Sequence, residues 1–199
     1  MFENIRIDIM HVHRWTGTAR PIDVLGSLWV NYGLQALMIY RFGRWLGHLR
    51  KYRCGWLIAT SLAPVYRVLS ICVRNAYGID LDQSADIGPG FCIGHFGGIE
   101  IRNCRIGPNC VIHQQVKVGR DNKTAGNGPV IGEGVYIGAH ARICGDVSVG
   151  DDVTIGAGAV ISVDIPQHCL VLGNPGRIAQ RDYNISNPGR MTQQDNCAV

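Results

Sequence analysis

Two histidines carry the most chemical promise in this chain. His95 sits in FCIGHFGGIEI, two positions after Ile93, and His113 directly follows Ile112. An imidazole set among glycines on an accessible wall titrates near neutrality. That suits a general base acting on a hydroxyl, although an idle surface imidazole fits the spacing equally well. The eight cysteines form no CxxC pair, and no His/Cys spacing suits zinc. A cysteine nucleophile would need an activating base beside it, and none is visible. A metal-dependent hydrolase would need three converging histidines, and His95, His113 and His140 are the candidates inside the patterned region. No metal is expected.

What must position these histidines is an internal repeat. Aliphatic residues recur every six positions at Ile131, Ile137, Ile143, Val149, Ile155 and Ile161. Glycine follows several of them, as at Gly132, Gly138, Gly150 and Gly156. Upstream the period appears at Ile87, Ile93 and Ile99, slips by one, and resumes at Ile106, Ile112 and Val118. Six residues is too long for the alternation of one strand and wrong for a helix. It fits a parallel β-helix in which each hexad forms one short side and its corner. The predicted fold is therefore mainly β, a β-helix over residues 78–179 with an N-terminal α-helical cap over 1–77 and a tail over 180–199. His95 and His113 then lie one coil apart on the same side. A polar, glycine-rich stretch at 119–129 breaks the period and reads as an inserted loop on a functional face. Within the cap, Leu34, Leu37, Met38, Phe42 and Leu46 follow helical spacing with Arg41 and Arg44 between them. Pro64 is expected to separate a second amphipathic stretch, through Tyr66, Leu69 and Val73, from what precedes it.

Hydrophobic residues make up 46% of the 199 positions, which argues against long disorder. The net charge of +4 is unevenly placed: residues 24–79 hold seven Lys and Arg and no acid. Such a stretch attracts phosphates or anionic membranes, or is simply a solvated helix face. No basic-aromatic module points to nucleic acid. The start, MFENIRIDIMHVHRW, lacks a secretory apolar core, and Pro64 and Arg67 make the run from Trp56 to Val73 a poor transmembrane span. A cytoplasmic protein with reduced thiols is expected.

The segment GFCIGHFGGIEIRNCRIGPNCVIHQQVKVG, the polar loop, and the run from PVIGEGVYIGAHARICGD to GNPGRIA resemble the serine acetyltransferase group of hexapeptide acyltransferases. The resemblance is strong over 78–179 and weaker in the helices. It implies a left-handed β-helix, a homotrimer with pairing of two trimers left open, and transfer of acetyl from acetyl-CoA to a hydroxyl without a covalent enzyme intermediate. His95 matches the family's catalytic base. Gly138, Ala139, Gly156 and Ala157 match positions bordering the CoA groove, Gly119 matches a loop-opening glycine near the thioester, and Arg177 belongs to the closing motif.

The departures are also specific. Gly94 stands where serine-specific members carry an aspartate, Gly128 where they carry a second histidine, and Asn103 where they carry a glutamate. The acceptor-binding aspartate of their N-terminal region has no counterpart in His13, Arg14, Trp15 and Thr16. Losing charged partners damages selection of a charged acceptor. The pattern resembles more the members from exopolysaccharide clusters, such as the colanic acid acetyltransferases, so a sugar hydroxyl is the expected acceptor, with L-serine the alternative. The acid-free stretch 24–79 would then rest on an anionic inner leaflet. Glu100, Asn103, Asn127, His113 or a backbone carbonyl are the candidates to orient His95. A non-catalytic β-helix scaffold stays open as a different class of function.

Overall fold

In a computed structural model, residues 2–16, 31–52, 55–119 and 128–183 are described, with side chains in the first helix described for residues 4–12. Most of the inserted loop with Asn127, the tail from residue 184, and the side chains of His13 to Thr16 lie outside the described residues. Among the described residues three helices come first, α1 (Phe2–Thr16), α2 (Tyr32–Leu49) and α3 (Gly55–Tyr77), and fifteen short strands then wind a three-sided parallel coil. Side one holds β1 (Ile79–Leu81), β4 (Ile99–Arg102), β7 (Lys117–Gly119), β10 (Arg142–Cys144) and β13 (Val160–Ile161). Side two holds β2 (Asp86–Ile87), β5 (Arg105–Ile106), β8 (Val130–Ile131) and β11 (Ser148–Val149). Side three holds β3 (Cys92–Ile93), β6 (Val111–Ile112), β9 (Tyr136–Ile137), β12 (Thr154–Ile155), β14 (Cys169–Leu172) and β15 (Arg177–Arg181), the last pairing antiparallel to β14.

The repeat and the register agree. Ile131 pairs with Val149, Ile137 with Ile155 and Ile143 with Ile161, each eighteen residues on, as three hexads require. Those side chains point inward and are buried, so each coil stacks its aliphatics on the coil beneath. The slip has a local cause. Strand β4 runs four residues and turns both Ile99 and Ile101 inward, and it is Ile101 that pairs with Val118. Ile106 pairs with Ile131, twenty-five residues on. The inserted loop therefore adds seven residues to one coil and leaves the stacking undisturbed.

The cap is fastened to the first coil by polar groups. Tyr40 on α2 donates to the carbonyl of Ala85 at 2.8 Å and accepts from the Ile87 N–H at 3.2 Å. Arg41 is buried rather than solvated, which corrects the sequence expectation. Its guanidinium donates to Asp8 on α1, with Nε 3.1 Å from the carboxylate, and to the carbonyls of Ile87 and Gly88. Asp8 in turn accepts from the backbone N–H groups of Gly90 at 2.7 Å and Phe91 at 3.2 Å. Burial raises the Asp8 carboxyl above its ordinary value, and Arg41 pulls the other way. Arg44 pairs with Asp86 at 2.8 Å, so a second positive charge of the acid-free stretch is also matched within the fold.

Pro64 does not separate two helices. Helix α3 runs through it without a break from Gly55 to Tyr77. Proline removes one helical N–H, which orphans the carbonyl four residues earlier, at Thr60. Both Thr60 and Pro64 are exposed, so the proline ring and the orphaned carbonyl lie outside the packed stripe of the helix.

Candidate active site

The turns that join side three to side one stack into a single corner. They are the segments after β3, β6, β9 and β12. Backbone bonds run down this corner from rung to rung: the Gln115 N–H donates to Gly97 at 2.7 Å, His140 to Gln114 at 2.9 Å, and Gly158 to Ala139 at 2.8 Å. His95 lies in the uppermost of these turns and is exposed. Gly97 and Gly98 let that turn close with φ of 110° and 65°. The cap holds the turn from outside: Phe96 meets Tyr32 of α2 edge-on at 4.9 Å between centroids, and Tyr32 packs on Tyr77 of α3 at 4.7 Å.

His113 occupies the next rung. Its ring stacks on His95 with centroids 5.5 Å apart and planes inclined by 25°. Tyr136, one rung further down, places its hydroxyl 2.9 Å from His113 Nε2. Burial lowers the His113 pKa below its ordinary value, and the nearby His95 adds to the effect. His113 is therefore held neutral at physiological pH. With the Tyr136 hydroxyl donating to Nε2, its proton would reside on Nδ1. Burial also raises the Tyr136 phenol, which keeps the hydroxyl protonated and able to donate.

Gly94 belongs to this arrangement. A Cβ at that position would stand 3.1 Å from His113 Cε1 and 3.4 Å from each ring nitrogen. The imidazole of His113 fills the space that a side chain at 94 would need. The glycine that stands where serine-specific members carry an aspartate thus has a steric reason in this chain: a side chain at 94 would crowd the His113 ring.

The same corner carries four of the six residues expected to border CoA. Gly138 and Gly156 lie in adjacent rungs, and a Cβ on Gly138 would meet the Ala157 nitrogen at 2.7 Å. Ala139 is half-buried and Ala157 exposed, each facing out from its turn. Below them β14 and β15 form a hairpin in which Arg177, exposed, pairs with Leu172. Below the rung of His113, a strip of small residues at 138–139 and 156–158 therefore runs toward Arg177. Gly119 is elsewhere. It ends β7 at the corner between sides one and two, with φ of 139°, and a Cβ there would collide with the Arg102 carbonyl.

Two expected orienting groups do not serve His95. Glu100 lies on side one, where its carboxylate accepts from Lys117 Nζ at 2.9 Å. That hydrogen bond, more than any other influence, holds its pKa below the ordinary value. Asn103 sits at the corner between sides one and two, its backbone N–H bonded to Ser84 Oγ at 2.9 Å and its carbonyl against Gly128. Both follow His95 closely in sequence, but the chain has turned a corner in between. Asn127 lies outside the described residues. Tyr136 was not singled out from the sequence. Its signal was a hydroxyl-bearing aromatic immediately before Ile137, one rung below a histidine.

Three of the buried thiols are poor nucleophiles. Burial pushes Cys92, Cys104 and Cys110 up to about 12. Among the described residues no group of three or more His, Cys, Asp or Glu side chains is arranged to hold a metal ion.

Residues 128–162 match the family of bacterial transferase hexapeptide (six repeats). The serine acetyltransferase of Synechococcus elongatus is 34% identical over 183 residues, which is 91% of this chain and 70% of that one. The chain belongs to the serine acetyltransferase family. The Bacillus pumilus serine acetyltransferase is 36% identical over 114 residues, and there the match spans 56% of this chain and about half, 52%, of the relative. Among solved structures, serine acetyltransferase from Brucella abortus in complex with coenzyme A aligns with a TM-score of 0.73 at 27% identity, over 90% of this chain and 68% of that one. Soybean serine acetyltransferase complexed with serine aligns with a TM-score of 0.71 at 27% identity, over 88% and 70%. Enzymes of this family are acetyl-CoA-dependent acyltransferases, and this chain is an acyltransferase. The expected kinship to exopolysaccharide enzymes, and with it the sugar acceptor, is corrected by these matches. That expectation rested on Gly94, Asn103 and Gly128, whereas the likeness to serine acetyltransferases runs through nine-tenths of the chain.

Proposed function

We propose that the chain transfers acetyl from acetyl-CoA to the hydroxyl of L-serine. The observation that carries this reading is the exposed His95 imidazole, stacked on a neutral, half-buried His113 in the corner that also holds Gly138, Ala139, Gly156 and Ala157. His95 takes the hydroxyl proton, and the serine oxygen attacks the thioester carbonyl. The C–S bond then breaks, and the proton passes from the imidazolium to the departing thiolate, giving O-acetylserine and CoA. The pantetheine arm lies along Ala139 and Ala157, where side chains are short enough for it to approach the main chain, with Arg177 at the far end of the strip. A backbone N–H of the glycine-rich wall meets the developing oxyanion.

Without an aspartate at 94, the charges for a zwitterionic acceptor come from side one. Asp80, Glu100, Lys117 and Arg142 are laid across successive rungs of that side, and they offer both signs. Gly119 and Gly128, which flank the inserted loop, sit at a different corner from His95, so the proposed assembly is a homotrimer in which a neighbouring chain brings that corner to the histidine corner. The proposed location is cytoplasmic.

The test is thiol release from acetyl-CoA with L-serine, with the product identified by mass spectrometry. Turnover is expected for the parent chain and loss of about a hundredfold or more for His95→Ala, with the melting temperature unchanged. No serine-dependent release by the folded parent protein, or a fully active His95→Ala, would overturn the proposal.

A further inference from the structure

Helix α3 leaves most of its surface without a protein partner. Only a narrow stripe, with Gly55, Ala59 and Val73 at its centre, is buried. Around the rest stand Trp56, Leu57, Ile58, Val65, Val68, Leu69 and Ile71, all large, apolar and exposed, with Val68 at 60% and Leu57 at 57%. The helix is 23 residues long; its most apolar 18-residue window has a mean hydropathy of 1.6, and 11% of that window is buried. A soluble fold does not leave a contiguous face of this kind bare without a use for it.

The charges say what the face is for. At 100° per residue, Leu57, Val68 and Ile71 cluster opposite the buried stripe, Val65 extends the apolar face on one flank, and Arg67 and Arg74 both fall on the other. The stretch leading into the helix adds Arg50 and Lys51, together with Tyr52, which is 69% exposed, and Trp56. Aromatic residues beside basic ones, at the end of an apolar helix, are the groups that settle at the boundary between headgroups and hydrocarbon. No acidic residue occurs from 24 to 79. A two-fold contact between copies through this face would therefore set Arg67 and Arg74 near their own counterparts with no carboxylate from the stretch to answer them. An anionic lipid surface answers both.

We propose that α3 is a lipid-docking helix that lies in the plane of an anionic bilayer surface, with its apolar face immersed and Arg67, Arg74, Arg50 and Lys51 at the headgroups. It does not cross the bilayer. Its buried stripe packs on α2, and a spanning α3 would draw the Asp8–Arg41 pair of the cap toward hydrocarbon. The proposal is independent of which acceptor the enzyme uses.

The test is co-sedimentation of the full chain with extruded vesicles of phosphatidylcholine alone and of phosphatidylcholine mixed with phosphatidylglycerol, alongside light scattering of the protein without lipid. Binding to the mixed vesicles is expected, weakening with added salt. Val68→Glu combined with Ile71→Glu should abolish it. Arg67→Gln combined with Arg74→Gln should weaken it by about 25-fold, near fivefold for each charge removed. Both double variants should keep the parent's melting temperature and its acetyl transfer in lipid-free solution. Absence of binding to the mixed vesicles would overturn the proposal. So would undiminished binding by the Val68→Glu/Ile71→Glu variant, or a fall in its particle mass without lipid, which would show that a second copy covers the face.

Discussion

Alanine at position 94 is the sharpest probe of the histidine corner. The new Cβ would lie 3.1 Å from His113 Cε1 and 3.4 Å from both ring nitrogens, closer than carbon usually approaches a ring. The imidazole must retreat by a few tenths of an ångström, and retreat strains the 2.9 Å contact with the Tyr136 hydroxyl. A neutral hydrogen bond contributes about 1 kcal/mol, and one surplus methyl in a packed site costs about 1–3 kcal/mol. Gly94→Ala should therefore lower stability by about 1–3 kcal/mol. Because His95 rests on the displaced ring, kcat should also fall by about five- to tenfold, equivalent to ~1 kcal/mol of lost transition-state support. The assay is thermal melting and initial thiol release for Gly94→Ala, His113→Ala and the double variant. Shortening His113 removes the collision, so alanine at 94 should be nearly neutral in the His113→Ala background. That leaves a coupling of about 1–3 kcal/mol between two sites in direct contact. If Gly94→Ala melts and turns over like the parent, or if its penalty is the same with and without the imidazole, the steric account of this corner is wrong.

Three further outcomes follow from other parts of the molecule. The folded state holds the His113 pKa below its ordinary 6.5, so the unfolded chain binds more protons between the two values. Stability should then fall as pH drops below about 6.5, and His113→Gln should flatten that acid limb in melting curves taken across the range. Asp8→Ala strands a buried guanidinium and the N–H groups of Gly90 and Phe91; a loss of about 3–5 kcal/mol is expected in urea unfolding, and a change below ~1 kcal/mol would refute the clamp. Ala157→Phe adds bulk on an exposed turn. It should raise the KM for acetyl-CoA by about tenfold, roughly 1.4 kcal/mol, while leaving the melting temperature unchanged, and an unaltered KM would remove the CoA strip from this corner.

The coil was legible because an inward side chain must return each time the chain completes a side, and the resulting period survives in one-dimensional text. The slip near Ile99 was visible, but its origin was not, since ordinary strand alternation also produces Ile-x-Ile. Pairing His95 with His113 required only the coil length. Assigning Glu100 and Asn103 to the same cluster failed because proximity in sequence across a corner is separation in space. Arg41 was misread because its partner, Asp8, lies 33 residues away on another helix, a distance at which no spacing rule operates. Pro64 misled because its effect depends on whether the orphaned carbonyl faces water, which the sequence does not state. The acceptor was misjudged for a related reason: a few local replacements were weighed above a likeness that extends along nine-tenths of the chain.

The two ends of the prism are finished differently. At one end α2 and α3 contact β1, and the Asp8 carboxylate occupies the N–H groups that a further rung would seek. At the other, β15 doubles back against β14 in the opposite sense, so a newcomer meets a strand running the wrong way. Neither end offers a template for head-to-tail growth, and the molecule is insulated from polymerising into a fibre. Copies that meet flank to flank bring their corners together, which makes the corners natural places for two chains to enclose a common cleft.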